Sequence, residues 1–287
     1  MAPPGHSVAD GLRWSVDGSG AGACCGFGSG GWLAQHGVID FAGGIVVHTT
    51  AGVSALVAAT MIGARRGFPH SLIPPRSPGL TMAGAGMLWF GWFGFNGGSA
   101  LAADGAAAAA ILATHFAAAA AALTWMAVEW LRAGKPTSIG LVTGAIAGLA
   151  TITPASDYVG PVGALIIGVV AGAVCFHVTG YVNRGLRIDD SLDVFAVHGV
   201  RGMTGTLLAA IFAAPALGGV GYAEGMTLGR KIAAQVLGIV IAGAWSAIAT
   251  FFIVKGLAAA AGLRVSAEEE NDGLDLAAHG ERAYDHG

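Results

Sequence analysis

Long apolar windows separated by short polar breaks dominate the chain. Seven windows stand out: 41–64, 77–103, 105–128, 137–156, 158–183, 194–214 and 232–254. A helix needs about 20 apolar residues to cross a hydrocarbon core, and all seven are long enough. Only the sixth contains a charged side chain, Arg201. Gly recurs in the windows, as expected where membrane helices pack closely. The third is rich in Ala and reads as a tightly packed helix, not as a low-complexity linker. The pattern predicts an all-α, polytopic transmembrane bundle of about seven spans over residues 32–262. A Gly/Ala/Ser-rich segment, 1–31, precedes it, and a polar tail, 263–287, follows.

Basic residues in short loops set orientation. Arg65, Arg66 and Arg76 share one loop, Arg132 and Lys135 lie two loops later, and Arg184 and Arg187 two loops after that. Arg264 follows the last span, and the alternate loops carry almost nothing basic until Arg230 and Lys231. The reading places the N-terminus outside and the C-terminus in the cytoplasm. Residues 1–31 contain one basic residue, Arg13, and no apolar core, so they do not read as a signal peptide.

Composition agrees with a bilayer as solvent. Of 287 residues, 54% are hydrophobic and only 11% charged, against about a quarter charged in an ordinary soluble domain. Those figures exclude a disordered chain and a soluble enzyme. A net charge of −3 gives no reason to expect nucleic acid. Of three Cys, Cys24 and Cys25 are adjacent and Cys175 lies in an apolar run, so no disulfide framework is expected. No residue pattern calls for a metal, a cofactor or a catalytic group.

The polar residues hide a repeat. Asp40 stands eight residues before His48, and Asp190 eight before His198; Gly52 and Gly202 each follow four residues later. The copies are 150 residues apart, in the first and sixth windows, which makes their helices antiparallel. That is the pattern of an inverted-topology repeat whose halves meet at a midplane site. Ionisable residues at such depth are costly and usually face a pore or cavity. A core His bonded to a carbonyl is the plain alternative for either ring alone, and the matched pair weighs against it. Each neutral imidazole offers one donor and one acceptor. Such a pair suits a small neutral polar molecule or a relayed proton, not a large or anionic substrate. His115 and His177 lack such repeat partners and read as packing residues.

These residues carry a family resemblance. DFAGGIVVH with TTAG behind it resembles the signature of the ammonium transporter (Amt/MEP) family, and LWFGWFGFNGGSAL at 88–101 resembles that family's next span. GKPTSIGLVTGAIAGLATITPA at 134–155, GPVGALIIGVVAG at 160–172, DDSLDVFAVHGVRG at 189–202 and GLDLAAHGERAY at 273–284 are similar to later family segments, in the same order. The resemblance implies a homotrimeric protein of the plasma membrane with one pore per subunit. Ammonium would lose a proton at an outer vestibule and cross as ammonia past twin histidines, here His48 and His198. It assigns Asp40 to the vestibule as a backbone cap and cation attractor. Phe95 becomes an aromatic gate, Ser99 an acceptor for ammonium, and Trp92 and Val194 pore-wall positions. A PII-type signal protein is the partner implied for the tail.

Plain readings stand beside these. Phe95 and Trp92 could be ordinary packing, Ser99 could bond its own helix backbone, and Asp40 could be only a helix cap. Capping is the better reading of Asp190 and Asp193. Glu129 could pair with Arg132 three residues on. Relative to the family, the first four spans are missing, and an N-terminally truncated copy is expected. The family's outer Trp is approximated only by Phe27 or Trp32. Arg201 stands where the family has a small residue; it could turn to Asp190 or Asp193, or reach the cytoplasmic vestibule. Besides transport, two readings remain open: a non-conducting truncated member, and an ammonium-sensing or regulatory membrane subunit.

Overall fold

The computed structural model describes residues 31–70 and 77–281, and no strand occurs among them. A short helix, α1 (Trp32–Gln35), leads into α2 (Gly44–Ile62). There follow α3 (Pro78–Gly98), α4 (Gly105–Ala133), α5 (Ser138–Ala155), α6 (Pro161–Gly180), α7 (Phe195–Phe212) and α8 (Leu228–Ala261). The tail forms α9 (Ala267–Asp272). Each apolar window coincides with one of the seven long helices, and α4 and α8 run past the ends of theirs. Six are long and apolar enough to cross a membrane. α3 has the length, 21 residues, but its glycines and its tryptophans, Trp89 and Trp92, add little hydropathy.

The helix starts follow local sequence. The side chains of Ser77, Asp104, Thr137 and Thr227 each accept a backbone N–H from the first turn of α3, α4, α5 and α8. Such a cap satisfies donors that the helix itself leaves open. Pro78 and Pro161 occupy first-turn positions of α3 and α6, where a missing N–H costs nothing.

The tightest packing joins α4, α5 and α6. Ala110, Ala113, Ala117, Ala118 and Ala121 of α4 are buried, so the Ala-rich window is a packed helix, as its composition suggests. A Cβ at Gly148 of α5 or at Gly168 of α6 would run into the Ala117 carbonyl. Small residues on both sides let three backbones close on one point. In contrast, α8 exposes Val240, Trp245, Ile248 and Phe252 along its length.

Helices α2 and α8 are joined by hydroxyls. Ser54 Oγ and Ser246 Oγ lie 2.7 Å apart, Ser246 donates to Thr50 O at 2.8 Å, and Thr250 donates to Ser54 at 2.8 Å. The tail docks on the segment after α2. Arg66 Nη1 donates to Ala267 O at 2.9 Å, and Arg264 forms an ion pair with Glu270 at 2.6 Å.

Candidate functional site

The two copies of the repeat build matching half-sites. The carboxylate of Asp40 is fully buried. It accepts the N–H groups of Gly43 at 3.1 Å, Gly44, Ile45 at 2.8 Å and Val46 at 3.2 Å. Burial pushes its carboxyl above the ordinary value, and the four N–H donors offset this only in part. Asp190 does the same for α7 through Val194 N–H at 2.9 Å and Phe195 N–H at 2.6 Å. Each helix then opens with one widened turn, Gly44–Thr49 and Phe195–Val200, and each turn carries its His. Widened turns are frequent at functional sites.

The histidines meet. His48 Nδ1 and His198 Nδ1 are 3.1 Å apart, and the rings stack with centroids 5.1 Å apart. Glycines allow this approach. A Cβ at Gly52 would collide with the backbone of Gly199, and one at Gly202 would lie 2.7 Å from His48 Cβ. The glycines of the repeat are therefore the crossing point of the helices that carry the rings. His48 is 2% exposed, and its Nε2 is buried with no hydrogen-bond partner. That orphan nitrogen is a chemical invitation, because a buried polar atom without a partner is costly.

The Nδ1 contact constrains the proton count. With both rings neutral, one Nδ1 donates and the other accepts. The donor ring then has a bare Nε2, and the acceptor ring carries its proton on Nε2. The pair always offers one acceptor and one donor at its outer nitrogens. Exchanging which is which takes two protons, the shared one between the Nδ1 atoms and one carried between the two Nε2 atoms in the opposite direction.

Aromatic rings continue the stack. The ring of Trp92 lies 5.5 Å from that of His48, and Phe95 lies 6.3 Å from it. Trp92 is buried, and its indole N–H donates to Thr153 Oγ1 at 3.0 Å, which fixes the ring plane. Phe95 is 41% exposed, as a residue at a mouth would be. One turn further, Ser99 Oγ donates to Phe95 O at 2.8 Å, which spends its proton and leaves its lone pairs to accept. Val194 is half-buried at the start of the α7 turn. Trp32 is exposed and its ring rests on His36, 4.0 Å away. Phe27 lies outside the described residues.

Several polar side chains go where spacing did not point. Arg201 turns to neither Asp190 nor Asp193 for its hydrogen bonds. It is 1% exposed, and its Nε donates to the sulfur of Cys175 at 2.7 Å, with Nη2 bonded to the same atom. His177 is more than packing: Arg132 Nη2 lies 3.0 Å from its Nε2. Glu129 leaves Arg132 and accepts the N–H and hydroxyl of Thr137, at 2.8 and 3.0 Å, holding the start of α5. Arg65 pairs with Asp189 at 2.8 Å, next to the Asp190 cap. A cavity of about 740 Å³ lies beside that pair, lined by Trp125, Arg132, His177 and Asp193 among others.

The chain and its fold are similar to known proteins. A sequence model described as the Ammonium Transporter Family matches residues 22–284. The chain is 47% identical over 257 residues to "Ammonium transporter Amt1" of Archaeoglobus fulgidus, covering 89% of this chain and 64% of that one. It is 46% identical to an ammonium transporter of Aquifex aeolicus, covering 89% and 59% of the two chains. Among solved structures, a "Sensor Amt Protein" superposes with a TM-score of 0.81 at 36% identity, over 88% of this chain and 63% of that one. Saccharomyces cerevisiae Mep2 gives 0.75 at 38% identity, over 84% and 57%. The chain thus spans about three fifths of the length of the relatives it matches.

Proposed function

The chain belongs to the ammonium transporter family, and from that premise we propose that it passes ammonia across the plasma membrane along the Phe95–Trp92–His48–His198 stack. The observation that carries this reading is the His pair, with its 3.1 Å Nδ1 contact and the buried, unpartnered Nε2 of His48. The protein is a multi-pass membrane protein, and its relatives are named transporters, not enzymes.

The chemistry runs from the exposed end inward. An ammonium ion is attracted by the faces of Phe95 and Trp92. The lone pairs of Ser99 accept one of its N–H bonds. Asp40 acts here through structure and field: its carboxylate is fully engaged in capping α2, so it shapes the entrance without touching the ion. Beyond Phe95 the path narrows to apolar and imidazole surface, where a hydrated ion is expensive. Ammonium therefore gives up its proton to water at the exposed mouth beside Phe95 before entering. Ammonia has three N–H donors and one lone pair. It donates to the bare Nε2 of one ring and accepts from the Nε2–H of the other. When the bound ammonia takes the Nε2 proton of one ring and gives one of its own to the bare Nε2 of the other, transfer of the shared Nδ1 proton in the opposite direction keeps both rings neutral and leaves the pair in the opposite sense.

The loop charges orient the pore with Ser99 and Phe95 outside and the tail in the cytoplasm. The exposed apolar faces of α3 and α8 suit lipid and a homotrimer. The tail, held by Arg66 and Arg264, suits a PII-type partner. The test is ammonium-limited growth of cells deprived of their own ammonium uptake. The chain should support growth, and replacing His48 and His198 together by Ala should abolish it; unchanged growth would reject the reading.

A further inference from the structure

Arg201 is the one charge inside the long apolar windows, and the mechanism above does not use it. It follows His198 by three residues, about one turn along α7. The next residue, Gly202, packs against His48 Cβ. Its guanidinium is buried and bonded to Cys175 of α6, a sulfur and not a carboxylate. Its Nη1 is buried and has no hydrogen-bond partner. Its charge acts on both His48 and His198, and the carboxylates that bear on this group, Asp193 on Arg201 and Asp190 on His198, do so without a hydrogen bond to it.

Joining α6 to α7 does not require a charge. Neutral hydroxyl pairs do that work between α2 and α8. A guanidinium stays protonated, and inside a span it is costly and usually functional. A fixed positive charge behind the ring pair leaves neutral ammonia unaffected. It opposes an ammonium ion or a second proton on the rings, and it does so in a medium of low dielectric, where Coulomb forces are strong.

We propose that Arg201 is a specificity-determining residue that bars charged species from the His48–His198 pore, so that ammonia crosses without its proton. The proposal rests on the transport reading above. A purely structural Arg201 would affect stability and leave the charge carried per ammonia unchanged.

The test measures ammonium-evoked current and ammonia flux together, in vesicles containing the full chain. The ratio of current to flux is compared among wild type, Arg201→Gln, Arg201→Gly, Arg201→Lys and Cys175→Ala. The ratio is expected at background in wild type, in Arg201→Lys and in Cys175→Ala, which keep a positive charge at this place. It is expected to rise about tenfold or more in Arg201→Gln and Arg201→Gly. Two neutral variants of different size guard against the failure of one to fold. An unchanged ratio in both, or a wild type that already carries current, overturns the proposal. Absence of ammonia flux in wild type contradicts the transport reading instead. In that case the appearance of current in the neutral variants still supports the barrier, and its absence overturns it.

Discussion

Gly52 of α2 rests directly on the backbone of Gly199 in α7, with no room for a Cβ between them. The contact sits one turn past His48 and one residue past His198, so the distance between the rings is set by glycine. Gly52→Ala pushes backbone against backbone, which no rotamer change relieves. Overpacking of this kind costs about 1–3 kcal/mol. Thermal unfolding in detergent should show that loss, and flux should fall further than stability alone explains. A fully stable, fully active Gly52→Ala protein would mean that the crossing does not position the rings.

The two caps differ in how much they hold. Asp40 accepts four backbone N–H groups and Asp190 two. Asp40→Ala leaves four donors open, three of them buried, and is expected to cost on the order of 3 kcal/mol. Asp190→Ala should cost less, on the order of 1–2 kcal/mol. Asp40→Asn keeps one acceptor oxygen but turns an amide toward the remaining donors, so it falls between Asp40→Ala and wild type. Melting temperatures of the three variants give the order directly, and a larger loss for Asp190→Ala would contradict the geometry.

Acid should loosen the Arg65–Asp189 link. Burial pushes the Asp189 carboxyl up, but the Arg65 guanidinium and backbone N–H more than reverse this and hold it below the ordinary value. A depressed folded value means the stabilisation is complete above the ordinary aspartate range near pH ~3.9 and is lost as pH falls through the lower, folded value. Arg65 is half-exposed, so the link contributes about 0.2–1 kcal/mol. Asp189→Asn removes it at every pH. The difference in melting temperature between wild type and Asp189→Asn should be present at neutral pH and vanish in acid. A difference independent of pH would assign the effect to packing.

Much of this was readable in the residues, and the limits of the reading have physical causes. Helices announce themselves by continuous apolar runs, so all seven windows hold a long helix. The His pair is legible because a repeat at 150 residues ties two distant sites by symmetry. Caps are legible because Asp40 and Asp190 act on neighbours only a few residues ahead. The partners of Arg201 and Trp92 are not legible in that way. Cys175 looks like any other member of an apolar run, and Thr153 lies 61 residues from Trp92 with no repeat to connect them. Local spacing also misleads. Glu129 and Arg132 are three residues apart, yet one caps the next helix and the other reaches across to His177. Trp32 approximates an outer aromatic by position only, since its ring rests on His36.

Trp92 offers a finer test of the stack. Trp92→Phe keeps a ring beside His48 but removes the indole N–H that Thr153 Oγ1 accepts. The lost bond should cost about 1 kcal/mol, and flux should fall by a few-fold as the ring loses its fixed plane. Thr153→Val should reproduce the flux defect while leaving Trp92 in place. If Thr153→Val has full flux, the orientation of Trp92 does not matter to passage.

The central claim is that ammonia crosses between His48 and His198, and one measurement tests it most directly. Vesicles containing the chain are exposed to an ammonium gradient, and internal alkalinisation is followed by stopped flow. The wild-type chain should raise the rate well above that of protein-free vesicles. The variant with both His48→Ala and His198→Ala, shown to be folded by its elution and melting profile, should return the rate to background. A folded double variant that alkalinises the vesicles as fast as wild type would show that ammonia takes another route.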